Sequence, residues 1–260
     1  MNLWYRTILP VAGLIALLVI SLSFNYFLVK RYRHAYRELS RVTLDPLGLN
    51  QLAPETTAET EARQGELVVF FGDSRAAAWP SPEVDNAVFV NRGVNGQTSA
   101  QAALRYAIDT APLRPDVVIV QVGINDLRVI PAVGDDSTAA TAVTAAKAAT
   151  AATAANIRHI VEQAAAGGAI VVLTTIFPAQ TPPWQERMFW SEEVMTAVTA
   201  VNQDIRVQAT DRVLVLDAYA LLVNDNGELA DAYAQDYLHL NAAGYRRLND
   251  ALRDVLARKS

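Results

Sequence analysis

The run Leu67-Val68-Val69-Phe70-Phe71 leads directly into Gly72-Asp73-Ser74-Arg75. An apolar run of this kind reads as a strand buried on both faces, as parallel strands are. Open α/β sheets place their ligand crevice at the carboxyl ends of such strands, so this one presents the Ser74 hydroxyl at its tip. A serine there becomes a nucleophile when a base and an oxyanion site stand nearby.

The base is found by elimination, because the chain has three histidines. His34 lies in a basic stretch beside the apolar N-terminus, and His159 lies in an Ala-rich helical pattern, where a structural role is expected. His239 stands in Asp236-Tyr237-Leu238-His239-Leu240-Asn241, just before an amphipathic helix. An aspartate three residues before a histidine can reach its ring nitrogen within one turn and fix tautomer and orientation. The expected triad is therefore Ser74, His239 and Asp236.

Two loops offer oxyanion donors. Asn91-Arg92-Gly93-Val94-Asn95-Gly96 follows the short strand Ala87–Val90, and Gly123-Ile124-Asn125-Asp126 follows the apolar strand Val117–Val122. A glycine lets its N–H approach a ligand closely, and an asparagine amide supplies a neutral donor. With the Ser74 N–H, Gly93 and Asn125 complete an expected set of three donors. Taken singly, each of these residues is an ordinary turn former.

These residues together resemble the SGNH (GDSL-type) hydrolase superfamily of esterases and lipases. Its four blocks supply Ser, Gly, Asn and His in that order. Here they match Ser74 in Gly-Asp-Ser, Gly93, Asn125 in Gly-x-Asn-Asp, and Asp236-x-x-His239. The resemblance covers about Glu66 to Leu256. It implies a three-layer, flavodoxin-like parallel sheet, the SGNH hydrolase fold, and hydrolysis through an acyl-enzyme without a cofactor. Arg75 departs from many members, which carry an aliphatic residue there, and so bears on the shape of the acyl pocket. The α/β-hydrolase elbow Gly-x-Ser-x-Gly is absent.

The surrounding chain fits this picture. Alternating strands, near 67–71, 87–91, 116–122, 169–176 and 213–217, and helices, near 98–110, 138–166, 191–209 and 242–257, imply a parallel sheet covered on both faces. In the last helix Tyr245, Leu248, Leu252 and Val255 share one face, and Asn241 is the expected N-cap. Ala139 to Ala155, nearly all Ala and Thr, reads as a solvent-facing start to the long helix. The aromatic stretch 179–190 either overhangs the crevice or caps the core with Trp184 and Trp190. Asp217, after the fifth strand, reads as a turn or capping residue.

The 260 residues suffice for one substantial domain and an appendage. With no cysteine, disulfides and thiolate metal sites are excluded. A net charge of −5 gives no reason to expect nucleic acid as a partner. No His-x-x-x-His, Gly-x-Gly-x-x-Gly or Walker pattern occurs, so neither metal nor cofactor is expected.

The appendage is N-terminal. Thr7 to Val29 carries no charge, and at about 1.5 Å per residue it is long enough to cross a hydrocarbon core of about 30 Å. Arg6 precedes it, and Lys30, Arg31, Arg33, Arg37 and Arg41 follow. A retained anchor is expected, with a cleaved signal peptide as the rival reading. The positive-inside rule directs the following domain to the cytoplasm, whereas the resemblance implies the periplasmic or outer side. The expected organisation is an anchor over 1–41, a linker over 42–65 and a hydrolase domain over 66–260. The function expected is a membrane-anchored serine esterase acting on a lipid, lysophospholipid, thioester or O-acetyl sugar. Two rivals stand beside it: an acyltransferase with a sugar or lipid hydroxyl as acceptor, and a catalytically silent tethered binding module.

Overall fold

Strand β1 (Glu66–Gly72) is buried from Leu67 onward on both faces, as the unbroken apolar run requires. In the computed structural model, which describes residues 3–52, 64–130, 139–184, 186–187 and 190–258, it lies inside a five-stranded sheet. The other strands are β2 (Ala87–Gly93), β3 (Val117–Gln121), β4 (Ile170–Thr174) and β5 (Val213–Leu216). Their order is β2-β1-β3-β4-β5, and every pairing is parallel. This is the flavodoxin-like order, in which the chain changes winding direction between β1 and β3. Ser74 follows β1 and Asn125 follows β3, so both stand at that switch point.

Helices cover both faces. Phe71, Val118, Val120, Val171 and Leu173 pack against α3 (Ser99–Arg105), α5 (Ala139–Ala166) and α6 (Glu192–Arg206). Val68, Phe70, Val117, Ile119 and Val172 point the opposite way, toward Trp79, α7 (Ala218–Leu222) and α8 (Ala242–Ala257). Each fully buried aliphatic or aromatic side chain contributes about 1.5–3 kcal/mol, so the alternation along each strand fixes its register strongly. Along α8 the buried apolar side chains are Tyr245, Leu248, Leu252 and Leu256, while Val255 is half-buried. Asn241 caps it, its Oδ1 accepting the N–H groups of Ala243 and Gly244 at 2.8 and 3.1 Å. Two further short helices, α2 (Ser74–Ala77) and α4 (Ile124–Leu127), start at the tips of β1 and β3.

Some elements depart from expectation. The helix expected over 98–110 is regular only to Arg105, then widens into a π turn over Tyr106–Thr110 and a 3₁₀ turn over Ala111–Leu113. Pro112 has no N–H to continue the ladder. Helix α5 is less solvent-facing than its composition suggests, because Ala146 and Ala149 pack against the core. Asp217 caps α7, accepting the Ala220 N–H at 3.2 Å, and pairs with Arg206.

The chain divides into two units, Met1–Pro46 and Leu47–Ser260. The first consists of α1 (Leu3–Leu44), in which Pro10–Leu44 is long and apolar enough to cross a membrane by length and composition. The span expected over 7–29 falls within this helix, as do Val42 to Leu44, placed above in a linker. Leu47 belongs to the second unit, where its carbonyl accepts from Gln97 Nε2. Residues 53–63, the middle of the expected linker, lie outside the described residues.

Candidate active site

The turn that carries Ser74 depends on Gly72. Its φ is +146°, and a Cβ there would lie 1.7 Å from the Gln121 carbonyl of β3. Only glycine tolerates both conditions. Asp73 then caps α2, its Oδ1 accepting the Arg75 N–H at 2.9 Å. The Ser74 N–H has no acceptor among the described residues, as expected for the first turn of a helix. Burial pushes the Asp73 carboxyl up to about 6, against the opposing pull of the Arg75 guanidinium. Its second oxygen is buried without a partner among the described residues.

The histidine reaches Ser74 from a tight loop between β5 and α8. Ala234 and Leu240 form an antiparallel bridge, and the Gln235 N–H donates to the His239 carbonyl at 2.8 Å. Within the loop, Asp236 Oδ1 accepts the N–H groups of Leu238 and His239, each at 2.7 Å. Asp236 Oδ2 lies 2.8 Å from His239 Nδ1, and His239 Nε2 lies 3.2 Å from Ser74 Oγ. A carboxylate can only accept, so Nδ1 carries the proton in the neutral ring and Nε2 faces the hydroxyl as acceptor. Partial burial raises the Asp236 carboxyl, but the hydrogen bonds from His239 and the two backbone N–H groups outweigh it, and the net displacement is downward. The structure thus brings together the three side chains expected to act in series. His159 is exposed on α5, and His34 is exposed on α1.

The donor loops divide differently from expectation. Asn125 Nδ2 donates to the Gln97 carbonyl at 2.9 Å, which orients the amide and leaves its second hydrogen available. Asp126 ties the same turn to α3, accepting the Ser99 N–H at 2.8 Å and the Ser99 hydroxyl at 2.6 Å. The Gly93 N–H, by contrast, donates to Asn91 Oδ1 at 2.8 Å. That bond removes Gly93 from the free donors. Its lack of a side chain has a steric reason, since a Cβ would stand 2.1 Å from the Ala77 nitrogen. Three residues on, Gly96 has φ +75°, is exposed, and its N–H has no acceptor among the described residues. Asn95-Gly96 is a turn dipeptide, and nothing in the sequence separates its N–H from that of Gly93.

Two buried arginines brace this end of the sheet, and neither was recognised as a brace from sequence. Arg105 Nη2 donates to the carbonyls of Gly72 and Arg92 at 3.0 and 2.7 Å, joining the tips of β1 and β2. It also pairs with Asp109. Arg75 joins the Ser74 turn to Leu238, Phe177 and Pro178. In the aromatic loop, Trp190 is half-buried and meets the Tyr237 ring edge-on at 6.0 Å, whereas Trp184 is 77% exposed. Tyr237 donates to Glu186 Oε2 at 2.6 Å and accepts from Arg128 Nη2 at 3.1 Å. Gln185, Met188 and Phe189 of this loop lie outside the described residues. No cluster of three or more potential metal ligands occurs among the described residues.

A doubly covered parallel sheet with a serine at the tip of its first strand is the architecture of serine enzymes that hydrolyse esters. The chain belongs to the GDSL-like lipase/acylhydrolase family, whose sequence model matches residues 56–247. Comparison with curated proteins found no match. Among solved structures, a GDSL-like lipase from Bacteroides thetaiotaomicron is 22% identical with a TM-score of 0.59, over 85% of this chain and 98% of its own. An acetyl xylan esterase is 20% identical with a TM-score of 0.55, over 73% of this chain and 99% of its own. The lipase/acylhydrolase from Enterococcus faecalis is 19% identical with a TM-score of 0.51, over 75% and 95%. At these identities the likeness is one of fold.

Proposed function

We propose that this protein is a membrane-anchored serine esterase that works through Ser74, His239 and Asp236. The observation that carries the reading is the series from Ser74 Oγ to His239 Nε2 at 3.2 Å and from His239 Nδ1 to Asp236 Oδ2 at 2.8 Å. Ser74 Oγ attacks the ester carbonyl carbon as His239 Nε2 takes its proton, and the carbonyl oxygen becomes an oxyanion. Asp236 holds the ring and stabilises the imidazolium without accepting its proton. The intermediate collapses, His239 returns the proton to the departing alkoxide, and an acyl-Ser74 ester remains. Water, deprotonated by His239, releases the acid by the same route.

The oxyanion is held by the N–H groups of Ser74 and Gly96 and by the Asn125 amide. Gly96 takes the place expected for Gly93, because the Gly93 N–H is already bonded to Asn91. The side chains of His239 and Asp236 are 35% and 46% exposed, which favours water over a sheltered acceptor alcohol in the second step. The fold likeness to an acetyl xylan esterase supports a short acyl group such as an O-acetyl ester. Helix α1 supports attachment to a membrane, with the catalytic unit beginning at Leu47.

Treatment with a fluorophosphonate probe, followed by mass spectrometry, tests the reading. Labelling is expected at Ser74, lost in Ser74→Ala and strongly slowed in His239→Ala. Labelling at another residue, or at Ser74 with an unchanged rate in His239→Ala, would remove the triad.

A further inference from the structure

We infer that Arg75 is a positioning residue for the catalytic base: through its buried guanidinium it sets the distance between Ser74 and His239. This rests on the triad proposed above. Arg75 follows the nucleophile in sequence, and its side chain is 0% exposed. Nevertheless, among the described residues no carboxylate lies within ion-pair distance of it. Its donors instead address three backbone carbonyls: Nε to Leu238 at 3.0 Å, Nη1 to Phe177 at 2.9 Å and Nη2 to Pro178 at 3.2 Å. Leu238 immediately precedes His239. The residue after the nucleophile is thus bonded to the residue before the base.

The other contacts of the histidine loop explain why this bond matters. Asp236 orients the imidazole from within the same loop, three residues away, so the Asp236–His239 pair moves as one body if the loop shifts. Its bridge to Ser74 Oγ is a single 3.2 Å contact. The Arg75 fork supplies a second, rigid link across the same gap. The fork is itself held, because the Phe177 ring lies 5.4 Å from its Cζ and the Tyr245 hydroxyl donates to the Arg75 carbonyl at 3.0 Å. A planar guanidinium can address three carbonyls in fixed directions, whereas a lysine ammonium on a flexible stem cannot. Displacement of reacting groups by about 1 Å costs on the order of 10²-fold in rate.

Arg75→Lys keeps the charge and loses the fork, and Arg75→Met loses both. Full-length protein is assayed in detergent with p-nitrophenyl acetate, with sites counted by fluorophosphonate labelling run to completion. Both variants are expected to lose about 10- to 100-fold in kcat per site. The labelling rate should fall in parallel, and KM should change less than about twofold. Wild-type kcat per site in Arg75→Lys would mean that charge rather than geometry matters, and would overturn the inference. So would a lowered melting temperature with kcat per site intact in both variants, or failure of both to fold. Ser74→Ala and His239→Ala are run alongside. Should either keep wild-type hydrolysis, the triad fails, independently of the Arg75 result.

Discussion

Asn125 donates one amide hydrogen to the Gln97 carbonyl at 2.9 Å, and this bond holds its amide as a fixed dipole. The side chain is half-buried, and its second hydrogen is directed by the first. Preorganisation of this kind is what makes a single donor effective against developing charge.

Asn125→Ala is therefore expected to lower kcat by about 10²- to 10³-fold with little change in KM. A residue that only shaped the turn would instead cost roughly 1 kcal/mol of stability and leave kcat per titrated site intact. Active-site titration beside a thermal melt separates the two. In Ser74→Ala the same substitution should add much less, because the groups act as a unit.

The two glycines of the β2 loop should part company under substitution. In Gly93→Ala the new methyl meets the backbone of α2 at 2.1 Å, so the outcome expected is a melting temperature lowered by several degrees or insoluble protein. Gly96→Ala meets a positive φ of +75°, a strain of about 1–2 kcal/mol. It should stay folded while kcat falls at least tenfold. Equal kcat per site for Gly96→Ala and wild type would take its N–H out of the oxyanion site.

Much of this arrangement was legible in the sequence, for identifiable reasons. The strands were readable because parallel strands are apolar throughout, and Ser74 and His239 because each is singled out locally, one by a strand tip and the other by Asp236. Spacing alone points to Gly93, because it does not reveal which N–H is already bonded; that depends on the Asn91 side chain folding back. Arg75 and Arg105 were missed as braces for a related reason. Their partners, at Leu238, Phe177, Gly72 and Arg92, are backbone carbonyls, which every residue has, and these carry no sequence signature.

Asp73 should make stability depend on pH near 6. Burial raises its folded-state pKa from 3.8 to about 6, with Arg75 opposing and Asp126 adding slightly. Between those values the folded state holds more protons than the unfolded state, so this group's contribution to stability falls as pH rises from about 4 to about 6. Asp73→Asn keeps an oxygen to accept the Arg75 N–H and cannot ionise. Relative to wild type it should gain stability as pH rises through this window, approaching roughly 3 kcal/mol at most above pH 7. Chemical denaturation at pH 4, 5, 6 and 7.5 checks this. A constant difference across the series would mean that Asp73 is ionised throughout.

Cutting the chain after Pro46 should separate α1 from an intact second unit. Gly48 is buried, and a Cβ there would fall 2.4 Å from Val94 Cγ1. The Leu47 carbonyl accepts from Gln97 Nε2, and Gln97 in turn receives the Asn125 amide on its own carbonyl. Gln97 Oε1 also accepts from Arg105 Nε, so the segment after Pro46 rests on the loop that carries the proposed Gly96 donor. Deletion of residues 1–46 removes α1 alone. It should yield soluble protein with wild-type kcat on a short, water-soluble ester, since α1 belongs to a separate unit. Deletion of residues 1–60 removes Leu47 and Gly48 as well. It should also be soluble, but with kcat reduced several-fold and a lower melting temperature, because Gln97 loses an acceptor and Val94 a neighbour. Equal kcat and melting temperature for the two truncations would show that the 47–52 segment is only tether. Aggregation of the shorter deletion in the absence of detergent would mean that α1 is needed for folding, and the anchor reading would fall with it.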